Sequence, residues 1–374
     1  MKFRSFILSA LCGLAVSTAF TSCSDDDEYN PFEYGSNVAL PEHRGIVLNE
    51  GSFQKNNASI SFFDAALDTT TTKINDLYFI QNKKQLGDTG QDIIEEDGNI
   101  YVCVYGSGYI AKLNKAGVEQ TRCSDLFISG GLPLGQPRYM VEHDGFIYVT
   151  TYGGCVVKLK ASDLSLAGYV TVGHAAERID EEDGILYVAC GNALDGTPDN
   201  RMFIIDTRNF SEDNVKSVNV MDNTQLVCAT DNYVFIQGYG ADWTNTPLWV
   251  YDIKGKKAED TGLYATYVIE AGDNKALATY SKTDWSTRKT TNTFFVYDAA
   301  TKTKTDVTAK ITAAASELAS ASIYSLSKGE NGSFYIGTTL YSAGNGTIYH
   351  FDANYNLKGK FTSWGQNPKK VIAM

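Results

Sequence analysis

The sequence predicts an all-β fold: a seven-bladed β-propeller closed by pairing of its C-terminal strand with the first blade. Three observations carry this. Seven short apolar-aromatic runs recur, at Ile46-Val47-Leu48, Ile100-Tyr101-Val102, Ile147-Tyr148-Val149, Leu186-Tyr187-Val188, Val234-Phe235-Ile236, Ala276-Leu277-Ala278 and Phe334-Tyr335-Ile336. Their spacing of about 40 to 58 residues suits units of four strands, which typically take roughly 40–50. The first unit lacks an opening strand, whereas residues 366–374 read as an opening strand with nothing after it. Lending residues 369–373 to the first blade removes the open sheet edges that invite aggregation.

Within each unit the opening strand precedes a tight turn. Residues 92–95, 138–142 and 178–181 run into Asp97-Gly98, Asp144-Gly145 and Asp183-Gly184. Asp-Gly between apolar runs is a strong hairpin signal, because both central positions favour positive φ. Asp231-Asn232, Asp273-Asn274 and Asn331-Gly332 hold the same place later in the chain. Third strands follow at 59–63, 109–113, 155–159, 202–205, 248–251, 294–297 and 348–351. Asp64, Asp206, Asp252, Asp298 and Asp352 close five of them, as side-chain-capped turns into a more variable fourth strand require.

Residues 1–22 lie outside this pattern. Lys2 and Arg4 precede an apolar stretch from Phe6 to Phe20 that is too short and interrupted to span a bilayer. Thr21-Ser22-Cys23 resembles the lipobox of bacterial lipoproteins, which makes Cys23 the lipidated residue, and Ser24-Asp25-Asp26-Asp27-Glu28 resembles an acidic surface-export signal. Residues 23–43 are then expected to be a flexible acidic tether, and residues 44–374 the propeller. Without Lys2 and Arg4, 30 basic residues face 44 acidic ones, a mature charge of −14. That repels phosphate backbones, and nucleic acid is an unsuitable partner. Cys103, Cys123, Cys155, Cys190 and Cys228 are odd in number and irregular in spacing, so free thiols are expected.

In a four-stranded meander the connections between strands two and three, and those between blades, share one end. The long loops all belong to these two classes, so one face should carry the binding residues. Its candidates are Asn49, Phe53, Gln54, Tyr105, Arg138, Tyr152, Asn192, Tyr239, Trp243, Tyr280, Trp285, Arg288, Tyr341 and Trp364. Aromatic area interleaved with Asn, Gln and Arg is the usual make-up of a small-molecule site. Segments 191–200 and 283–292 read as long loop insertions, and Trp249 reads as core. His43, His143, His174 and His350 lack ligand spacing, and no nucleophile elbow, phosphate loop or dinucleotide fingerprint is present. The expected protein therefore has no catalytic residues, metal or cofactor.

Asn49-Glu50-Gly51-Ser52-Phe53, Leu86-Gly87-Asp88-Thr89-Gly90-Gln91, Gln136-Pro137-Arg138-Tyr139 and Asn367-Pro368-Lys369-Lys370-Val371 resemble the surface-anchored seven-bladed propeller lipoproteins of Bacteroidetes, of the YVTN-repeat type. The resemblance covers essentially all of residues 44–374. It implies capture of cobalamin or a related corrinoid on the long-loop face, and delivery to a TonB-dependent outer-membrane transporter. The alternatives are capture of a glycan or of a ferric siderophore, the latter needing converging cations from Lys83, Lys84, Arg138, Arg288 and Lys289. A propeller lyase or hydrolase and a structural surface-layer protein stand behind these.

Overall fold

Seven four-stranded antiparallel sheets form in the computed structural model, which describes residues 33–66, 73–128, 134–240 and 245–374. Six blades run consecutively, from Gly90–Glu96 at the start of the second to Leu357–Thr362 at the end of the seventh. The first blade takes Arg44–Asn49, Ser59–Asp64 and Lys73–Ile74 from the start of the chain and Pro368–Ala373 from its end. Val47 pairs with Val371 and Gly45 with Ala373 in that closure. Beyond the ladder, Arg44 and Met374 exchange backbone hydrogen bonds at 2.7 and 2.9 Å, and the Asn367 side chain donates to the Gly51 carbonyl at 2.7 Å.

The expected turns form where the residues favour them. Asp97-Gly98, Asp144-Gly145, Asp183-Gly184 and Asn331-Gly332 all have positive φ at both central positions. All five predicted aspartates accept a backbone N–H two or three residues on, as for Asp252 with Gly255 at 2.7 Å. Trp249 packs on the cluster between the fourth and fifth blades, and the five described cysteines are free.

The second strand of six blades is buried almost end to end, as in Arg44–Asn49 and Phe334–Thr338, because both faces of each blade are apolar. Seven hydrophobic clusters result, one between each pair of neighbouring blades. Fully burying one large apolar side chain such as Phe62 or Phe235 is worth about 1.5–3 kcal/mol. Because every cluster needs two blades, the ring is stable only when complete.

Two expectations need correction. The second half of the proposed tether is fastened down: Glu33 pairs with Arg44 at 2.8 Å, the Asn37 N–H donates to Gln81 at 2.7 Å, and Leu40 is buried. Its first half lies outside the described residues. Segment 283–292 is a hairpin end rather than a long loop, since Lys275–Asp284 and Lys289–Asp298 pair throughout and leave only residues 285–288 as the turn. Thr283, Thr290, Thr291 and Asn292 extend the ladder.

The structure also adds a helix, Leu77–Asn82, capped by the Asp76 side chain. Its buried Tyr78 donates to Glu119, which also accepts from Arg122 at 2.7 Å and Lys84 at 3.0 Å. Burial alone would raise the Glu119 carboxyl, but these three donors outweigh it and hold it at about 2.

Deletion of residues 366–374 is expected to lower Tm by at least roughly 10 °C, the equivalent of several kcal/mol for a chain this size. A melting curve unchanged by the truncation would disprove the closure's role. Glu119 has a folded pKa below its ordinary value, so its stabilisation is complete above about pH 4.5 and fades towards about pH 2. The Tm gap between wild type and Glu119→Gln should therefore narrow as pH falls through that window. A gap independent of pH would contradict the assignment.

Candidate functional site

The opening strand of every blade packs against the opening strands of its neighbours, so these seven strands line the central channel. In six of them the pairing with the second strand slips by one residue. The residues within these β-bulges are Gln91, Arg138-Tyr139, Glu177-Arg178, Gln225, Tyr324 and Lys369. A bulge re-aims a side chain that a regular ladder would direct elsewhere. Here, all but Gln91 line one cavity of about 210 Å³ at the long-loop end.

Charges in this vestibule are paired. Arg138 donates to Glu177 at 2.5 and 3.1 Å and to Gln91 at 3.2 Å. Tyr105, Tyr139 and Tyr152 surround its guanidinium at 5.1–5.6 Å from the ring centres. Burial works against that charge, but Glu177 more than offsets it and the Arg138 pKa rises. Lys369 and the Tyr324 hydroxyl both reach Glu50 at 2.8 Å. Burial likewise opposes the Lys369 charge, and Tyr139, Glu50 and Tyr324 together reverse the effect.

A second cavity of about 320 Å³ lies below the first and shares Tyr139 and Arg178 with it. Glu95, Glu96, Glu142 and Glu181 line its outer part, towards the short-turn end. Burial, with Glu142, Asp97 and Glu95 nearby, raises the Glu96 carboxyl. At the waist Lys370 pairs with Asp92 at 2.9 Å. Among the described residues no three His, Cys, Asp or Glu side chains are arranged to hold a metal ion.

The sequence-predicted residues divide into four groups. Tyr105, Arg138, Tyr152 and Tyr239 come together at the vestibule. Phe53, Trp285 and Tyr341 stand on the same face but out on the rim; Trp285 is 85% exposed at the tip of the long hairpin, in the turn that also holds Arg288. The third group supports the scaffold. Asn49 is fully buried and donates to Ser61 at 2.8 Å, so it is closed off from any ligand. Asn192 fixes its own loop through Asp199 and Asn223, the Gln54 N–H bonds Asp88, and Tyr280 stacks on Tyr264 at 5.6 Å. Trp364 stacks on Phe361 at 5.9 Å and caps the cluster between the seventh and first blades, which corrects its assignment to a shared binding rim. Trp243 lies outside the described residues.

The five cations considered for a siderophore do not converge. Lys83 bonds the Ile80 carbonyl, Lys84 bonds Glu119, Arg138 is committed to Glu177, and Arg288 and Lys289 sit on the hairpin of the sixth blade. Sequence reasoning missed Glu50, Tyr139, Glu177, Arg178, Tyr267, Tyr324 and Lys369. The signal that finds all of them but Glu50 is positional, because polar and aromatic residues recur at the start of each opening strand, the strand nearest the axis.

No protein-family model matches the chain, and no curated protein matches it. Solved structures do. A quinonprotein alcohol dehydrogenase-like protein from Bacteroides thetaiotaomicron VPI-5482 shares 12% identity, over 87% of this chain and 77% of its own, with a TM-score of 0.59. A 6-phosphogluconolactonase-like protein from Bacteroides fragilis NCTC 9343 shares 11% identity over 89% and 98%, with a TM-score of 0.58. The hydrazine synthase of Kuenenia stuttgartiensis shares 12% over 74% and 86%, with a TM-score of 0.57. At such identity the likeness establishes the propeller fold and carries no chemistry across.

Proposed function

We propose that this chain is a non-catalytic, lipid-anchored capture protein that binds a small amphipathic nutrient on its long-loop face. One observation carries the reading. Of the eleven large apolar side chains exposed among the described residues, seven stand on that face: Phe53, Leu194, Tyr239, Tyr264, Trp285, Leu340 and Tyr341. Seven at one end against four elsewhere among the described residues give that face an apolar crown, with contact area for a ligand. The vestibule beneath it, about 210 Å³, is smaller than the roughly 300–1,000 Å³ of a drug-sized pocket. A ligand suited to both features is broad enough to lie across several blades and sends only part of itself into the channel. Among the captured nutrients considered, a corrinoid fits that description best, and the family resemblance supports the choice. Delivery to a TonB-dependent outer-membrane transporter follows from the same resemblance.

The described chain enters the ring at the end opposite the crown, where Arg44 begins the first blade's second strand. With a lipid on Cys23, ten residues precede Glu33 and reach at most about 35 Å when extended. The anchor then directs the crown away from its own bilayer, which suits capture from the medium.

Titration with cobalamin, followed by calorimetry, should show saturable binding. Trp285→Ala combined with Tyr341→Ala should weaken it by roughly 10-fold or more, since each ring is a rigid contact of large area. Both side chains are exposed, so the melting temperature should barely move. Unchanged affinity in the double variant removes the crown from the site, and no binding by the wild type removes the corrinoid. Separately, Cys23→Ala should shift the protein out of the outer-membrane fraction; continued membrane association would refute the anchor.

A further inference from the structure

We infer that the vestibule is an oxyanion site centred on Arg178, taking a carboxylate or phosphate group that enters from the long-loop end. The inference does not depend on the apolar crown or on a corrinoid.

Its basis is an imbalance between donors and acceptors. Four cations approach the channel axis: Arg138, Arg178, Lys369 and Lys370. Three are matched one to one by carboxylates, Arg138 by Glu177, Lys369 by Glu50 and Lys370 by Asp92. Arg178 makes no ion pair or hydrogen bond to any described residue; its one contact of note is with the ring of Tyr139, 5.1 Å away. A guanidinium offers five N–H donors and no acceptor, so a charged fork is left facing the cavity.

The nearby carboxylates are otherwise engaged. Asp180, two residues along the same strand, is a fourth carboxylate whose charge acts on Arg178, but it forms no ion pair with it and accepts the Ala229 N–H at 2.8 Å, so the Arg178 fork stays without a hydrogen bond. Asp92 accepts the Met140 N–H at 2.9 Å as well as Lys370. Glu50 is shared between Lys369 and Tyr324.

More donors line the same cavity. The hydroxyls of Tyr139 and Tyr267 have no hydrogen-bond partner among the described residues, and burial raises the Tyr267 pKa, which keeps its proton in place. Ser325 and Thr246 also line the cavity, but their hydroxyl oxygens are buried away from it, so the donors that face it are Arg178 and the two tyrosines. A guanidinium and two phenol hydroxyls without protein acceptors present several donors to one cavity, which suits an acceptor-rich occupant. At about 210 Å³ the cavity far exceeds the roughly 10–15 Å³ that one water needs. The other mouth, lined by Glu95, Glu96, Glu142 and Glu181, repels an anion, so entry from the long-loop side is favoured.

Calorimetric titration of the full chain with inorganic phosphate, and separately with acetate and succinate, tests this. Saturable binding of either class supports the site, and the tighter class identifies which oxyanion it serves. Arg178→Gln should weaken binding roughly 10- to 100-fold, the range for losing charge-assisted hydrogen bonds. Tyr267→Phe removes one hydroxyl and should cost a smaller factor, roughly 3- to 10-fold. Circular dichroism confirms that each variant is folded. Should Arg178→Gln not fold, Tyr267→Phe and Tyr139→Phe supply the same comparison. The inference fails if neither phosphate nor carboxylate binds saturably, or if folded variants bind as tightly as the wild type. Because the crown variants Trp285→Ala and Tyr341→Ala leave the vestibule intact, loss of cobalamin binding with retained anion binding separates this site from the capture reading.

Discussion

Everything at the channel depends on the pairing of Pro368–Ala373 with Arg44–Asn49. An open run of blades would leave one apolar face uncovered at each end, because every hydrophobic cluster is built from two neighbours. Closure covers both at once. It also places Lys369 beside Glu50, two residues far apart in the chain that form part of the vestibule wall. The fold and the candidate site thus share one latch, and the closing strand itself supplies a vestibule cation.

Bulges turn that ring into a site. A regular innermost strand would point its side chains alternately into the clusters on either side, leaving mainly backbone towards the axis. One extra residue in six of the seven opening strands breaks the alternation near the long-loop end. Polar and aromatic side chains then face the channel, while residues further along the same strands, such as Met140 and Ile179, return to the core. The scaffold keeps its packing and gains a polar mouth at the cost of one ladder irregularity in each of six blades.

The blades were legible because their cause is local. Alternating Ile, Val and Tyr runs, positive-φ Asp-Gly turns and aspartate-capped third strands each act over a few residues, and seven repetitions confirm one another. The closing strand was legible by subtraction, since one strand was missing at one end and spare at the other. The site was legible only in part, because its residues meet by register rather than by motif. A bulge leaves no mark in a single sequence, so Arg178 and Tyr324 looked like ordinary strand residues. Asn49 and Trp364 misled for the opposite reason. Both sit in loop-like sequence on the correct face, yet Asn49 is drawn into the closure and Trp364 covers the cluster beneath it. The helix Leu77–Asn82 was missed because its six residues are too few for a helical period to emerge.

Electrostatics gives the two ends of the channel different characters, although the protein as a whole is acidic. Towards the short-turn end, carboxylates from neighbouring blades crowd together, and burial with mutual repulsion raises Glu96 and Glu182. Towards the long-loop end, Glu177 and Glu50 are each answered by a cation, and Arg178 carries no ion pair. A net charge of −12 would by itself discourage any anion from approaching. Screening limits that long-range repulsion to about 8 Å at physiological salt, whereas a guanidinium inside a narrow, protein-walled mouth is screened much less. A ring of this kind can therefore be acidic in bulk and anion-selective at one opening, provided that opening lies within the protein. The bulged opening strands meet that condition by bringing their cations to the axis instead of the surface.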